Sequence, residues 1–159
     1  MTYIINQKEV LDLLMDHAGI IHKLSYMYSN NKEEYNDLRQ EVYYQLLKSY
    51  PRFNGQSKLS TWVYKVALFT ALSFLRSKRK TSQLLEDLPE IIVESPETDR
   101  LNEVMDQVKK LPKVDRSLVL LYLEDKSYKE MAEIMGLSES NIGVKLNRIK
   151  KKLREKLER

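Results

Sequence analysis

Ser140, Asn141, Val144, Lys145, Asn147, Arg148 and Lys151 stand within one short stretch of this chain. At 100° per residue Ser140, Asn141, Val144, Asn147, Arg148 and Lys151 share one face of a helix, with Lys145 beside them. That face offers positive charge, two amides and a methyl-bearing side chain, the chemistry that reads base edges in a DNA major groove. The alternative is the solvated basic face of an ordinary helical bundle. Covalent chemistry has no comparable candidate. The only histidines, His17 and His22, are five residues apart, so they lie on different sides of a helix, with no acid pair beside them. The lack of cysteine removes disulfides, thiolate zinc sites and a thiol nucleophile. The sequence has no glycine-rich phosphate loop or nucleophile elbow. Neither an enzyme nor a metal or cofactor site is expected.

The elements that must position the polar face are legible around it. Ser127 followed by Glu130 is a capping box and predicts a helix start. Ala132 is small, suited to a close helix crossing. Gly136 falls where a chain leaving a helix needs a left-handed residue. Ser138 can cap a second helix. On that helix Ile142, Leu146, Ile149, Leu153 and Leu157 form one apolar stripe. The pattern predicts a helix-turn-helix.

Composition bounds the rest. A chain of 159 residues makes one medium domain or two small ones. Four glycines and four prolines argue against a turn-rich β protein, and 42% apolar with 31% charged content suits helical structure. The N-terminal apolar stretch is too short for a signal peptide. Val66 to Leu75 is about half a membrane span, and reads as a buried core helix in a cytoplasmic protein. Charge is segregated. Residues 1–80 carry +5, residues 81–100 carry −5, residues 101–137 carry −1 and residues 138–159 carry +5. Two basic ends around an acidic segment suggest two contacts with a polyanion.

Along the chain, Val10, Leu13, Leu14, Ala18, Ile21, Leu24 and Tyr28 predict one helix over 8–29, broken at Ser29-Asn-Asn31. A second helix is expected from Asn36 or Asp37, with Asp37 and Gln40 as a capping box, burying Leu38, Val42 and Leu46 and ending before Pro51. Asn54-Gly55 signals a turn. Ser60 is then expected to cap a long helix to about Arg79. Residues 81–99, with Pro89, Pro96 and six acids, read as a linker, although Leu84, Leu85, Leu88, Ile91, Ile92 and Val93 suggest that it docks on something. Helices over 98–110, 114–123, 128–135 and from 139 to the end complete an all-α chain. It has two small domains, 1–80 and 100–159, joined by the acidic linker 81–99.

Two separated blocks resemble a known family. Phe53-Asn-Gly-Gln-Ser-Lys-Leu-Ser-Thr-Trp-Val-Tyr-Lys-Val-Ala67, ending in Phe74-Leu-Arg76, is similar to region 2 of the extracytoplasmic-function (ECF) sigma factors of the sigma-70 family. Asp37-Leu-Arg-Gln-Glu41 looks like its "D-L-x-Q-E" signature. Leu111-Pro112, Leu118 to Leu123, Ser127 to Gly136 and Leu137 to Leu153 resemble region 4. The resemblance implies a bacterial transcription initiation factor. Region 2 would bind the clamp of core RNA polymerase through Asp37, Gln40 and Glu41, and melt the minus-ten promoter element. Region 4 would bind the polymerase flap and read the minus-thirty-five element. The linker would thread near the active-site channel. A membrane-anchored anti-sigma factor is a further implied partner, and the free protein would be a monomer with no membrane insertion of its own.

The residue chemistry fits those expectations. Melting needs aromatic side chains with nearby cations, and Trp62, Tyr64, Lys65, Arg76, Lys78 and Arg79 lie on or beside one helix. Trp62 reads first as a core anchor, with Tyr64 and Lys65 the more exposed candidates. The loop Asn54, Gly55, Gln56, Ser57, Lys58 is polar, fit to capture an extruded base or to serve as a plain connection. Arg148 pairs with guanine or holds a phosphate; Asn147 reads adenine or binds a water. Two departures stand out. Phe69 replaces a common family Asn, so a hydrogen-bonding reader is lost. Gly143-Val144 replaces Lys or Arg followed by Ser; Gly143 either admits the DNA backbone or is merely tolerated, and Val144 can touch a thymine methyl. A simple repressor with a helical dimerisation domain explains residues 127–153 but neither Asp37–Glu41 nor the tryptophan block.

Overall fold

Apolar spacing and local caps build each half of this chain from helices. The structure, a computed structural model, describes the backbone of residues 7–82 and 99–158, with side chains over 8–75 and 103–158. Every extended regular element among them is α-helical. The chain divides into two compact units, Met1–Ile92 and Val93–Arg159. Most of the expected linker, residues 83–98, lies outside the described residues.

In the first unit, the helix expected over 8–29 is two helices, α1 (Gln7–Asp16) and α2 (Ala18–Met27). The break is at His17, with φ −111° and ψ 11°, where the imidazole Nδ1 donates to the Leu13 carbonyl at 2.9 Å. The side chain thus adds a second donor to a carbonyl that the His17 N–H also reaches, at 3.3 Å. Helix α3 (Lys32–Ser49) starts earlier than the Asp37–Gln40 pattern predicts. The Asn31 side-chain oxygen accepts from the Glu34 N–H at 2.8 Å, and the Glu34 carboxylate accepts from the Asn30 N–H at 2.9 Å. This reciprocal cap, with Glu33 and Glu34 matched to the helix dipole, overrides the weaker downstream signal. Helix α3 ends before Pro51, in a 3-10 turn over Tyr50–Arg52. Helix α4 (Leu59–Ser82) begins one residue ahead of Ser60, because the Lys58 carbonyl already accepts from the Trp62 N–H at 3.1 Å. Ser60 is therefore inside the first turn and not its cap.

The first core joins Ile21, Leu24 and Met27 of α2 to Leu38, Val42 and Leu46 of α3 and to Val63, Ala67 and Ala71 of α4, all buried. Each large aliphatic side chain buried there contributes about 1.5–3 kcal/mol. Ala67 and Ala71 are small and let α4 lie close on α3. Ser25 and Thr70 are buried hydroxyls that donate to the Ile21 and Val66 carbonyls, each at 2.7 Å, so neither is left unsatisfied.

The second unit holds α5 (Asp99–Lys109), α6 (Lys113–Leu123), α7 (Tyr128–Met135) and α8 (Glu139–Leu157). Val108, Leu111, Leu118, Leu120, Met131, Ile134, Ile142, Leu146 and Ile149 are its buried core. The stripe on α8 outlasts that core: Leu153 is half-buried and Leu157 is exposed. The α6–α7 turn is closed by Asp125 at φ 58°, with Lys126 N–H donating to the Leu121 carbonyl at 3.1 Å. The α7–α8 turn uses Gly136 at φ 68°, and both Gly136 and Leu137 N–H groups donate to the Ala132 carbonyl.

Candidate nucleic-acid interface

Helix α8 is held by its cap and its stripe. Ser127 Oγ accepts from the Glu130 N–H at 3.1 Å, starting α7, and Ser138 Oγ accepts from the Asn141 N–H at 3.2 Å, starting α8. With Ile142, Leu146 and Ile149 turned inward, Ser140, Asn141, Val144, Asn147, Arg148 and Lys151 are all exposed, and Lys145 is half-buried at the edge. Val144 is 65% exposed, a methyl-bearing side chain with no packing role. Arg148 and Lys151 make no ion pair among the described residues. Lys150 instead places its ammonium 4.0 Å from the centre of the Tyr122 ring, on the inner side. Gly143 faces Tyr128: a Cβ built there would meet the Tyr128 ring at 3.4 Å. The glycine therefore lies against the α7–α8 crossing with room for a methyl group, which agrees with a residue that is merely tolerated.

In the first unit a short loop joins the 3-10 turn to α4. Gly55 has φ 76°, and the Asn54 side-chain oxygen accepts from the Gln56 N–H at 3.1 Å, so the loop turns on its own hydrogen bond. Asn54, Gln56 and Lys58 are exposed and Ser57 is half-buried, between half-buried Phe53 and Leu59. Trp62 is half-buried, tilted on Phe53 at a centroid distance of 5.3 Å and edge-on to Tyr50 at 6.2 Å. Tyr64 is a correction. It is 5% exposed and belongs to the core, because Tyr64, Ala67 and Ala71 share the inward face of α4. Lys65, on the outward face, is exposed. The α4 backbone spans Arg76 and Arg79, whose side chains lie outside the described residues.

A groove of about 800 Å³ runs between α3 and α4, lined in part by Glu41, Gln45, Trp62, Lys65, Phe69 and Phe74. Phe69 is 56% exposed in it. On α3, Asp37 and Gln40 are exposed, whereas Glu41 is half-buried and accepts from Gln45 Nε2 at 3.0 Å. Tyr44 and Leu47 are also exposed on α3, at 55% and 37%. They continue the Asp37–Gln40 face one and two turns further. Sequence reasoning named only the polar residues of this face and missed these two.

A helix-turn-helix with an exposed polar and cationic face, in one chain with a second helical unit bearing a polar loop and an open groove, fits a DNA-binding protein. The sequence matches the family model for Sigma-70 region 2 over residues 13–81 and that for Sigma-70, region 4 over residues 101–153. The chain belongs to the sigma-70 family, with the ECF sigma factors. It is similar to the RNA polymerase sigma factor SigV of Bacillus subtilis, 27% identical over 150 residues that cover 91% of this chain and 88% of that protein. It is also similar to the ECF sigma factor SigW of the same organism, at 26% identity over 96% of this chain and 90% of that one. Among solved structures, the sigma factor RpoE of Bartonella quintana, crystallised with the anti-sigma factor NepR, shares the fold. The TM-score is 0.77 at 19% identity, covering 96% of each chain. The protein is accordingly an alternative sigma factor that directs promoter-specific transcription initiation. Among the described residues no helix is long and apolar enough to cross a membrane, and no cluster of metal-ligating side chains occurs.

Proposed function

We propose that the two units divide the promoter between them. Residues 1–80 bind core polymerase and hold the melted minus-ten strand, residues 100–159 read the minus-thirty-five duplex, and residues 81–99 join them. The observation that carries this reading is the exposed α8 face in one unit together with the polar loop and cation-bearing α4 face in the other. Ser140, Asn141, Val144, Lys145, Asn147, Arg148 and Lys151 are the duplex-reading set. Asn54, Gln56, Ser57, Lys58, Trp62, Lys65, Arg76 and Arg79 are the minus-ten set. Tyr64, being buried, supports its neighbours from the core and touches no base.

Asp37, Gln40 and Glu41 make the contact with the polymerase clamp, flanked by exposed Tyr44 and Leu47. An apolar centre with a polar rim is the usual anatomy of a protein interface. The flap of the polymerase takes the second unit. An anti-sigma factor competes for these surfaces; the likeness in fold to a sigma factor crystallised with one supports that partner. The protein works in the cytoplasm and is a monomer when free.

Co-purification with core polymerase tests the reading directly. Core should bind the intact chain, and the resulting holoenzyme should select promoter sequences that neither component selects alone. A symmetric dimer that binds a duplex site tightly without core would refute it in favour of a repressor.

A further inference from the structure

Asn54-Gly55 is the only Asn-Gly pair in the chain; every other asparagine is followed by a residue with a side chain. An asparagine amide is an electrophile beside a nucleophile, because the backbone nitrogen of the next residue can close a succinimide ring on its Cγ. A side chain on that next residue crowds the closure, and Gly55 has none. The loop leaves the reaction open in other ways. Asn54, Gly55 and Gln56 are exposed, so water reaches the ring and ammonia escapes. Nothing lies within 4 Å of a Cβ built on Gly55, so no neighbouring element clamps the loop there. Among the described residues the Gly55 N–H makes no hydrogen bond that would hold its nitrogen back. The Gln56 N–H, in contrast, donates to Asn54 Oδ1 at 3.1 Å. Attack on Cγ pushes negative charge onto that oxygen, where a donor is already in place, as in an oxyanion hole.

We propose that Asn54 is a self-modification site, a chemical timer set into the Asn54–Lys58 loop. The Gly55 nitrogen gives up its proton and bonds to Asn54 Cγ. The Cγ–Nδ2 bond breaks, and Nδ2 leaves as ammonia with that proton. Water then opens the succinimide at one of its two carbonyls. Opening at Cγ restores the backbone and leaves an aspartate. Opening at the Asn54 backbone carbonyl leaves an isoaspartate, with the chain rerouted through Cβ and Cγ. Either product adds a negative charge. It cancels the only charge of the loop, that of Lys58, and sets a carboxylate against the phosphates of a bound strand. The effect on DNA rests on the proposed minus-ten role of this loop; the chemistry at Asn54 does not.

The test ages the intact chain in mildly alkaline buffer, beside the same chain unfolded in guanidinium chloride. Trypsin, cutting after Arg52 and Lys58, releases Phe53–Lys58 with Asn54 as its only asparagine, and tandem mass spectrometry assigns the mass gain to Asn54 or to Gln56. In the folded chain Asn54 should convert roughly ten-fold faster, or more, than any other asparagine, which takes only a modest difference in barrier. It should convert no more slowly than in the unfolded chain. Holoenzyme made with the aged chain should bind a minus-ten single strand roughly 5- to 150-fold more weakly than holoenzyme made with fresh chain, at equal core affinity. Asn54→Gln, whose longer side chain disfavours the ring, should show no such loss between its own fresh and aged samples. Conversion no faster than at the other asparagines, or slower than in the unfolded chain, overturns the proposal, because the fold then protects Asn54. Conversion with strand binding intact overturns the timer. A fresh chain that binds core but no minus-ten strand refutes the parent reading and the timer with it, while the mass gain still decides the chemistry at Asn54.

Discussion

Gly143→Ala separates two uses of a glycine in the middle of α8. If the glycine exists to let DNA approach, an added methyl should weaken binding. If it exists because α8 crosses Tyr128, the methyl meets only that ring. The added Cβ lies 3.4 Å from Tyr128 Cε2 and 3.9 Å from Cδ2. These are ordinary to slightly tight contacts, and Tyr128 is 39% exposed, so its ring can give by a few tenths of an ångström toward solvent. Against that small adjustment stands a gain of about 1 kcal/mol in helix propensity for alanine over glycine. Unit 2 should therefore be stabilised by about 1 kcal/mol. That amounts to about a five-fold rise in protection for amides of α7 and α8 that exchange through its unfolding, or a melting temperature raised by roughly 4–8 °C. Holoenzyme affinity for the minus-thirty-five element should stay within two-fold, because Gly143 is half-buried and the methyl meets the Tyr128 ring. Lower protection would show that the Tyr128 contact cannot relax. Raised protection with lost promoter binding would restore the close approach to DNA as the reason for the glycine.

Arg148→Ala, read by holoenzyme binding across a promoter library, should cost roughly 1–3 kcal/mol and relax one minus-thirty-five position if the side chain reads a base, or weaken all sequences alike if it holds a phosphate; no effect removes Arg148 from the site. Exchanging Asn54–Lys58 for the loop of a related factor should transfer minus-ten preference at one position, and transcription from a randomised minus-ten library that keeps the original preference would reduce the loop to a connector. Replacing Asp37, Gln40 and Glu41 with alanine should weaken core binding while circular dichroism stays unchanged, since two of the three are exposed and the third is tied only within α3; unaltered core affinity rejects that face. Asp125→Gly should stabilise the α6–α7 turn by about 0.5–1 kcal/mol in thermal unfolding, because Asp125 holds a left-handed conformation at φ 58° that glycine adopts without strain; a lower melting temperature would mean that the Asp125 side chain stabilises the turn.

The second unit was legible nearly residue by residue because its signals are local. Ser127, Gly136 and Ser138 each act within four residues: both serine hydroxyls cap their helices and Gly136 is left-handed. The first unit was less legible where local signals compete or where packing decides. Asn31 with Glu34 out-competes Asp37 with Gln40, and only the geometry of Asn30 and Asn31 distinguishes them. Helix α4 is apolar almost all round between Trp62 and Leu75, so periodicity could not say which face turns inward. Tyr64 was expected outside for that reason. The same ambiguity concealed the break at His17, since the apolar spacing of α1 and α2 continues across it.

Trp62 carries a practical consequence. It is the only tryptophan in the chain, and its indole lies against Phe53, which ends the Asn54–Lys58 loop on one side, while its other surroundings line the groove beside Phe69. Its emission is thus an intrinsic optical reporter with a single address. A nucleotide entering the groove, or a loop drawn toward DNA, changes the polarity around one fluorophore whose signal no other indole dilutes. Tyr50, edge-on at 6.2 Å, can donate excitation to it. The second unit holds no tryptophan, so its unfolding is dark in this channel. Emission and total helicity followed together would time the two halves of the molecule separately, without a label on either.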